Sequence, residues 1–268
     1  MKLLSLIAPL LFLPLCFQPD LQPTKPASSL RQLGNSAFKE GEYLKYRIHY
    51  GIINAGIAEL MVKGLTNRQG REVYHMVGKG RSVGMAEWFF KTRDTYESYI
   101  DTESILPWEF VRDVNEGGYE INRHIIFDHY NNTAKDLDQK KTRTYNVPDN
   151  VQDLLSSFYY ARCVDTRNIA KGDVIPIDMF LDHEHYSFQL KYLGKEDMKS
   201  EWGKIRCKKF IPLVQEGRVF AEEEGLTLWV TDDANKIPIR LEAELAVGSI
   251  KMDLIEFRNN RHALEFKK

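Results

Sequence analysis

Two histidines, His183 and His185, are the side chains best placed to act together, because they stand two positions apart. On a β-strand, residues two apart face the same way, so both imidazoles could reach one ion. Neutral imidazole with a neighbouring carboxylate such as Asp182 or Glu184 suits zinc. The segment also falls between two alternating stretches, where a polar hairpin turn is expected. We therefore predict a solvated turn, with metal binding as the alternative, and no cofactor.

The candidate nucleophiles give little support to catalysis. Ser156 and Ser157 fall on a predicted helix without an evident base beside them, and Cys163 follows that helix. We interpret Cys163 and Cys207 as separate thiols, with a disulfide as the alternative, since most cysteines so distant in sequence have no geometric reason to meet. Paired carboxylates such as Asp232-Asp233 are typical of solvated turns. These residues predict a protein that is not an enzyme.

Large aromatic side chains are more informative than the polar ones. They are numerous for a sheet protein whose predicted helix is short, and curved antiparallel sheets readily enclose space for a ligand. The alternative is a packed core, which is where such rings usually lie. The residues predicted to line an apolar pocket between sheet and helix are Trp88, Phe90, Trp108, Tyr159 and Trp229.

Apolar and polar residues alternate along most of the chain, which indicates β-strands that have one charged face and one apolar face. The segments 44–50 and 237–245 show this most clearly. The pattern predicts a mostly β, single-domain protein with a strongly curved antiparallel sheet, an open or half barrel, packed on one central helix.

The central helix is predicted at 150–162, where apolar residues recur at helical spacing after Asp149 or Asn150 as the cap. We expect Leu154, Leu155 and Phe158 to be buried against the concave face of the sheet. Met85 to Phe90 predicts one further helical turn.

Two segments share one pattern, Tyr99 to Pro107 and Trp229 to Pro238. Each has an apolar strand end, a polar run, and a bulky apolar residue followed by proline. We predict that Asp101-Thr102 and Asp232-Asp233 close equivalent turns in which aspartate side chains accept backbone amides. The domain, residues 36–268, is accordingly predicted to have two similar halves at about 36–148 and 172–268.

The N-terminal residues predict export. Lys2 precedes the apolar run Leu3 to Leu15, which is too short to span a membrane and is typical of a signal peptide. We place the signal peptide at 1–17 and a flexible tether at 18–35, with a periplasmic location. Cys16 leaves a lipoprotein with a membrane tether as the alternative. The balance of 37 Lys+Arg against 38 Asp+Glu argues against nucleic acid or an anionic membrane surface as a partner.

Three stretches of the sequence resemble a known family. They are Gly41-Glu42-Tyr43-Leu44-Lys45-Tyr46, Leu154 to Arg162, and Trp229 to Arg240, with Thr231 where serine is expected. Together they look like the exported bacterial family called domain of unknown function 3108, and this resemblance implies no particular activity. More distantly, the chain is similar to periplasmic lipoprotein carriers, which implies a half-barrel that wraps helices and holds acyl chains.

The function predicted from these observations is a non-enzymatic periplasmic or envelope-associated protein that binds an apolar or lipid-like ligand. The first alternative is an envelope scaffold or interaction protein with a filled core, and the second is a hydrolase.

Overall fold

The structure is a computed structural model that describes residues 30–137, 141–214 and 225–267. The predicted signal peptide, Cys16, and residues 18–29 of the predicted tether lie outside the described residues.

Fourteen antiparallel strands in the described residues form one sheet. The strands are β1 Tyr43–Tyr50, β2 Ile53–Arg68, β3 Arg71–Ser82, β4 Thr92–Asp101, β5 Pro107–Glu116, β6 Tyr119–Asp128, β7 Thr133–Asp136, β8 Arg143–Asn146, β9 Val174–Leu181, β10 Glu184–Ser200, β11 Gly203–Val214, β12 Leu226–Thr231, β13 Pro238–Glu244 and β14 Ser249–Arg258. Two helices accompany them, α1 Met85–Phe89 and α2 Leu154–Cys163.

The sheet consists of two meanders that meet where β1 pairs with β14. One meander runs from β1 outward to β8, and the other runs from β14 outward to β9. The sheet is not closed into a barrel. On the β9 side, Gln152 pairs with the edge strand: its N–H donates to the carbonyl of Asp178 at 2.7 Å, and its carbonyl accepts from the N–H of Phe180 at 2.8 Å. The predicted fold class, a curved antiparallel sheet on a central helix, is confirmed.

Helix α2 begins at Leu154 because Asp153 caps it. The Asp153 carboxylate accepts from the backbone amides of Leu155 and Ser156 at 2.8 and 2.7 Å, and Ser156 Oγ accepts from the Asp153 amide at 2.8 Å. This reciprocal arrangement satisfies amides that the first turn leaves unpaired. The predicted caps, Asp149 and Asn150, are therefore wrong.

The inward face of α2 follows Leu155, Tyr159 and Cys163, which are four residues apart and buried. Leu155 lies against Gly78 of β3, where an added Cβ would come within 3.4 Å of the leucine side chain. Leu154 is 39% exposed. Its predicted burial is wrong because the stripe that faces the sheet starts one residue later.

The chain before β1 also packs inside the curved sheet. Leu30, Ala37 and Phe38 are buried, and the amides of Leu33 and Gly34 donate to the carbonyl of Glu103 at 3.0 Å. Residues 30–35, which we assigned to a flexible tether, thus lie against the domain. These residues pack against the domain instead of forming a flexible tether because burial of the apolar side chains of Leu30 and Leu33 is favourable.

The two similar turns hold the central helix at its two ends. In the first, Asp101 Oδ1 accepts from the amides of Glu103 and Ser104 at 3.0 and 2.9 Å. The carbonyl of Ile105 in this turn accepts from Gln152 Nε2 at 3.2 Å, just before α2 begins. Ile105 has a positive φ of 54°, directly before Leu106-Pro107.

In the second turn, Asp233 Oδ1 accepts from the amides of Asn235 and Lys236 at 2.9 and 3.0 Å. Lys236 has a φ of 48°, directly before Ile237-Pro238. The Asn235 carbonyl accepts from Arg162 Nε at 3.0 Å, near the end of α2. The amide-binding carboxylate is Asp233, whereas Asp232 pairs with Lys195 and Lys208. That the two halves are similar throughout stays a prediction.

Candidate functional site

The five aromatic residues predicted to line one pocket lie in different places. Trp108 is buried with Val73, Tyr99 and Leu106 on one side of the sheet, and Tyr159 is buried at the centre. Trp229 belongs to another buried cluster, with Leu44 and Tyr46. Trp88 and Phe90 are exposed at the surface.

The structure therefore brings no common pocket together from Trp88, Phe90, Trp108, Tyr159 and Trp229. Ligand contact by these residues stays a prediction. It fits Trp88 and Phe90 best, because their rings are accessible.

Exposed apolar side chains are instead concentrated at one end of the curved sheet. Eleven of the fifteen large apolar side chains that are exposed in the described residues lie there, and we call them the apolar rim. The rim comprises Tyr50, Ile52, Ile53, Met85, Trp88, Phe89, Phe90, Tyr119, Leu245, Val247 and Ile250. Single exposed apolar residues are normal on a protein surface, whereas interaction sites are commonly found at contiguous exposed apolar patches.

Strand register places the rim turns side by side. Tyr50 pairs with Ile53 on one side and with Ile250 on the other, so the β1–β2 and β13–β14 turns are neighbours. The Tyr50 hydroxyl donates to the carbonyl of Val247 at 2.7 Å across that gap. The connection between β3 and β4 and the turn between β5 and β6 adjoin in the same way, since Thr92 pairs with Glu116.

Helix α1 forms the most exposed part of the rim. Its five residues include no buried side chain, and Trp88 and Phe89 are both 88% exposed. The chain enters the helix through Gly84, whose φ is 61°, and leaves it with the Phe90 ring over Gly117, where an added Cβ would come within 2.8 Å of that ring. Phe90 thus packs on the β5–β6 turn and supports the helix there, while the side chains of Trp88 and Phe89 are exposed to solvent.

Basic residues flank α1 in the sequence on both sides. Between Lys79 and Arg93 the chain carries four cations and one acid, Glu87. Glu87 pairs with Arg93. The side chains of Lys79, Arg81 and Lys91 are exposed and have no ion-pair or hydrogen-bond partner among the described residues. The segment 79–93, which contains the aromatic helix, therefore has an excess of positive charge, although the charges of the whole chain are balanced.

An open cleft of about 690 Å³ lies at the C-terminal end of α2. Its walls come from the end of the helix, the connection to β9 and the first residues of β9. The apolar part of its lining consists of Tyr160, Val164, Ile169, Val174, Ile175 and Pro176. Asp165 and Asp173 also line it, and they hold Arg167 and the Ala170 amide respectively.

The two candidate metal-binding histidines contact different carboxylates. His183 Nε2 lies 2.6 Å from Asp136, and His185 Nε2 lies 2.8 Å from Asp178. His183 has a φ of 67° and belongs to the turn between β9 and β10, so the strand geometry that would align the two rings is absent there. Among the described residues, no group of three or more His, Cys, Asp or Glu could hold a metal ion.

The side chains of the candidate nucleophiles Ser156, Cys163 and Cys207 have structural roles. Ser156 completes the α2 cap. Burial raises the pKa of the Cys163 thiol to about 11 and that of Cys207 to about 12, so both are protonated and unreactive near neutral pH. The two cysteines are free and buried, in separate core clusters.

Residues Gly80 to Gly84 form a Gly-x-Ser-x-Gly motif, in which the serine is a candidate nucleophile. Its serine, Ser82, is the buried last residue of β3 and accepts a hydrogen bond from the Thr92 amide at 3.0 Å. The sheet here is antiparallel, and no described histidine is hydrogen-bonded to this serine. Ser82 thus closes the strand pair.

A buried ion pair is the main polar feature of the interior. Arg162 of α2 donates to the two carboxylate oxygens of Glu42 at 2.6 and 2.8 Å, and both side chains are nearly fully buried. Arg162 also donates to the carbonyls of Asn235 and Ala37. Sequence reasoning missed this pair, although an arginine near the end of an apolar helix was a signal for it. The ion pair connects the helix, the N-terminal segment and the second turn.

Three solved structures are similar to this chain, and the first of them supports the architecture. A beta-barrel-like protein of domain of unknown function DUF1849 from Brucella abortus is 8% identical, with a TM-score of 0.53, over 84% of this chain and 99% of that chain. A candidate lipoprotein from Parabacteroides distasonis is 9% identical, with a TM-score of 0.32, over 85% of this chain and 99% of that one. A protein with a YmcC-like fold from Bacteroides fragilis is 10% identical, with a TM-score of 0.32 and the same coverage.

Among curated proteins, none is significantly similar to this chain. Residues 45–255 match a family of proteins of unknown function, and this match covers most of the chain. The described residues contain no helix long and apolar enough to cross a membrane. The chain belongs to the DUF3108 family.

Proposed function

We propose that this protein is an exported, non-enzymatic envelope protein that works by contact between its apolar rim and an apolar or amphipathic molecule. The observation that carries the proposal is the concentration of exposed rings and aliphatic side chains at one end of the sheet. Burying such a surface is favourable by roughly 25 cal/mol per Å² of apolar area. The predicted signal peptide supports the envelope location.

The buried, packed side chains at the centre of the sheet favour ligand contact at the surface over ligand storage inside the sheet. Phe38 and Tyr159 pack edge to face at 4.9 Å at the centre, beside the Arg162–Glu42 pair. An acyl chain placed there would have to displace a satisfied ion pair, which would leave charges buried without partners. We therefore place the apolar contact at the rim, where side chains are already exposed.

Intrinsic fluorescence tests the proposal, because Trp88 is an exposed reporter within the rim. Titration with micelles of dodecylphosphocholine, a zwitterionic detergent, should shift its emission to the blue and saturate. The variant Met85→Ser/Phe89→Ser keeps Trp88 but removes apolar area, and it should bind more weakly.

The matched control is Leu65→Ser/Leu154→Ser, which removes two exposed apolar side chains outside the rim. This control should titrate like the parent protein. Equal loss in both double variants, or no saturable shift in the parent, would refute a functional rim.

The open cleft beside α2 supports a second candidate, a small apolar ligand bound by Tyr160, Val164 and Ile169. Its volume falls within the about 300–1,000 Å³ typical of ligand pockets. Native mass spectrometry of the protein from its host tests this. A bound mass that is retained in the Met85→Ser/Phe89→Ser variant and lost in Ile169→Asp would assign the ligand to the cleft.

A further inference from the structure

Beside the aromatic helix of the rim stand basic side chains that have no ion-pair partner in the part of the chain that the structure describes. We infer that the apolar rim docks on the surface of an anionic lipid bilayer, with α1 at the interface and Arg81 and Lys91 against acidic headgroups. This inference rests on the proposed function and names its partner.

Cross-strand register provides the first argument. Arg81 of β3 lies directly opposite Arg93 of β4. Like charges at such positions repel each other. Glu87 of α1 neutralises Arg93, but Arg81 is left exposed without a counter-ion among the described residues. An acidic headgroup beside the helix would supply that counter-ion.

The side chains of α1 provide the second argument. Tryptophan prefers the boundary between headgroups and acyl chains, and Phe89 and Met85 offer apolar area beside it. Basic residues near an anionic membrane surface add to such binding. Lys91 follows Phe90 directly, so a cation stands next to the three consecutive aromatic residues 88–90.

The backbone of the rim is suited to a water-poor interface. The Phe90 amide donates to the Ala86 carbonyl at 2.9 Å, the Gly117 amide to Lys91 at 2.8 Å, and the Val83 amide to Ala55 at 3.0 Å. Partial immersion therefore leaves these amides paired, and an unpaired amide in hydrocarbon would cost several kcal/mol.

A second copy of the chain fits this surface less well. Two rims placed face to face would bring Arg81 and Lys91 of both copies together. Juxtaposed like charges oppose association. A bilayer with acidic lipids complements both the rings and the cations.

Flotation with lipid vesicles tests the inference. The leaderless protein, residues 18–268, is mixed with vesicles of phosphatidylcholine alone or of phosphatidylcholine containing phosphatidylglycerol. We expect flotation mainly with the second composition, weakened by added salt because salt screens exposed charges. The variant Arg81→Gln/Lys91→Gln should bind the acidic vesicles about tenfold or more weakly.

The matched control is Lys199→Gln/Lys204→Gln. These two exposed lysines face each other near the β10–β11 turn, at the opposite end of the sheet, and their replacement changes the net charge equally. This control should bind like the parent. Equal weakening in the two variants would mean that net charge alone drives binding and would overturn the inference.

Other outcomes separate the inference from the proposed function. Equal flotation with both vesicle compositions would overturn the role of acidic headgroups while the rim remained an apolar contact. Binding to dodecylphosphocholine micelles without flotation would overturn the bilayer and leave a soluble amphipathic partner. Self-association that Met85→Ser/Phe89→Ser abolishes, without flotation, would identify a second copy instead. Absence of both micelle binding and flotation would refute the proposed function itself.

Discussion

Arg162 and Glu42 form a buried ion pair in the interior of the protein. Because both are nearly fully buried, loss of either charge leaves the other without a partner in a medium that solvates it poorly. The pair also explains the positions of three chain segments, since Arg162 reaches Ala37 and Asn235 as well as Glu42.

Glu42→Ala should lower the free energy of unfolding by about 3–5 kcal/mol, the usual cost of breaking a buried pair from one side. Urea denaturation measures this. The control Glu40→Ala removes an exposed carboxylate two residues earlier and should change stability by less than about 0.5 kcal/mol. Similar values for the two variants would show that the buried pair does not hold the helix.

His129 makes stability depend on pH. Burial lowers the pKa of His129 to about 4, from an ordinary value of 6.5, while its Nε2 lies 2.6 Å from the Pro107 carbonyl. The unfolded chain therefore binds a proton between pH 6.5 and 4 that the folded chain excludes. Stability from this residue is present above pH 6.5 and falls as the pH drops toward 4.

The loss attributable to His129 should approach about 3 kcal/mol, since one pKa unit corresponds to 1.36 kcal/mol. Asp153 acts in the opposite direction, because burial raises its pKa to about 6 and stability falls as its proton leaves. The free energy of unfolding is therefore measured by urea denaturation at several pH values from 7 to 4, for the wild type and for His129→Gln. The difference between the two proteins at each pH gives the contribution of His129. Parallel stability curves for the two proteins would contradict the assignment.

At the scale of elements, α2 is the central packing unit, and two neighbouring leucines report on it. Leu155→Ala should cost about 2–5 kcal/mol, because its side chain is buried against β3. Leu154→Ala, next to it on the same helix but 39% exposed, should cost less than about 0.5 kcal/mol. Chemical denaturation of both variants checks the direction of the helix face. Comparable losses would mean that α2 is rotated relative to the structure.

Much of the element order could be predicted from local signals. Alternation marked β1 and β13, helical spacing marked α2, and the proline-ending repeats marked two turns that use aspartate in nearly the same way. The helix start could not be placed, because three nearby Asp and Asn residues can all act as caps, and tertiary contacts select Asp153, which Ser98 also binds at 2.6 Å. The outward direction of Trp88 could not be predicted either, since a cluster of rings is usually core.

At the scale of the whole molecule, the two ends of the sheet differ. One end holds the two aspartate turns, which fix α2 at its beginning and end. The other end carries the apolar rim, beside which the Arg81 and Lys91 side chains have no ion-pair partner within residues 30–137, 141–214 and 225–267. The described residues thus combine a buried ion pair in the interior with exposed apolar side chains at one end of the sheet, and the proposed lipid contact requires this arrangement.

The most direct measurement is quenching of tryptophan fluorescence by brominated lipid in acidic vesicles. Trp88 should be quenched strongly, so Trp88→Phe should remove most of the quenching. Trp202→Phe, which replaces a tryptophan outside the rim that is 37% exposed, should leave the quenching in place. Quenching that survives Trp88→Phe, or that disappears in Trp202→Phe, would contradict a lipid-facing rim.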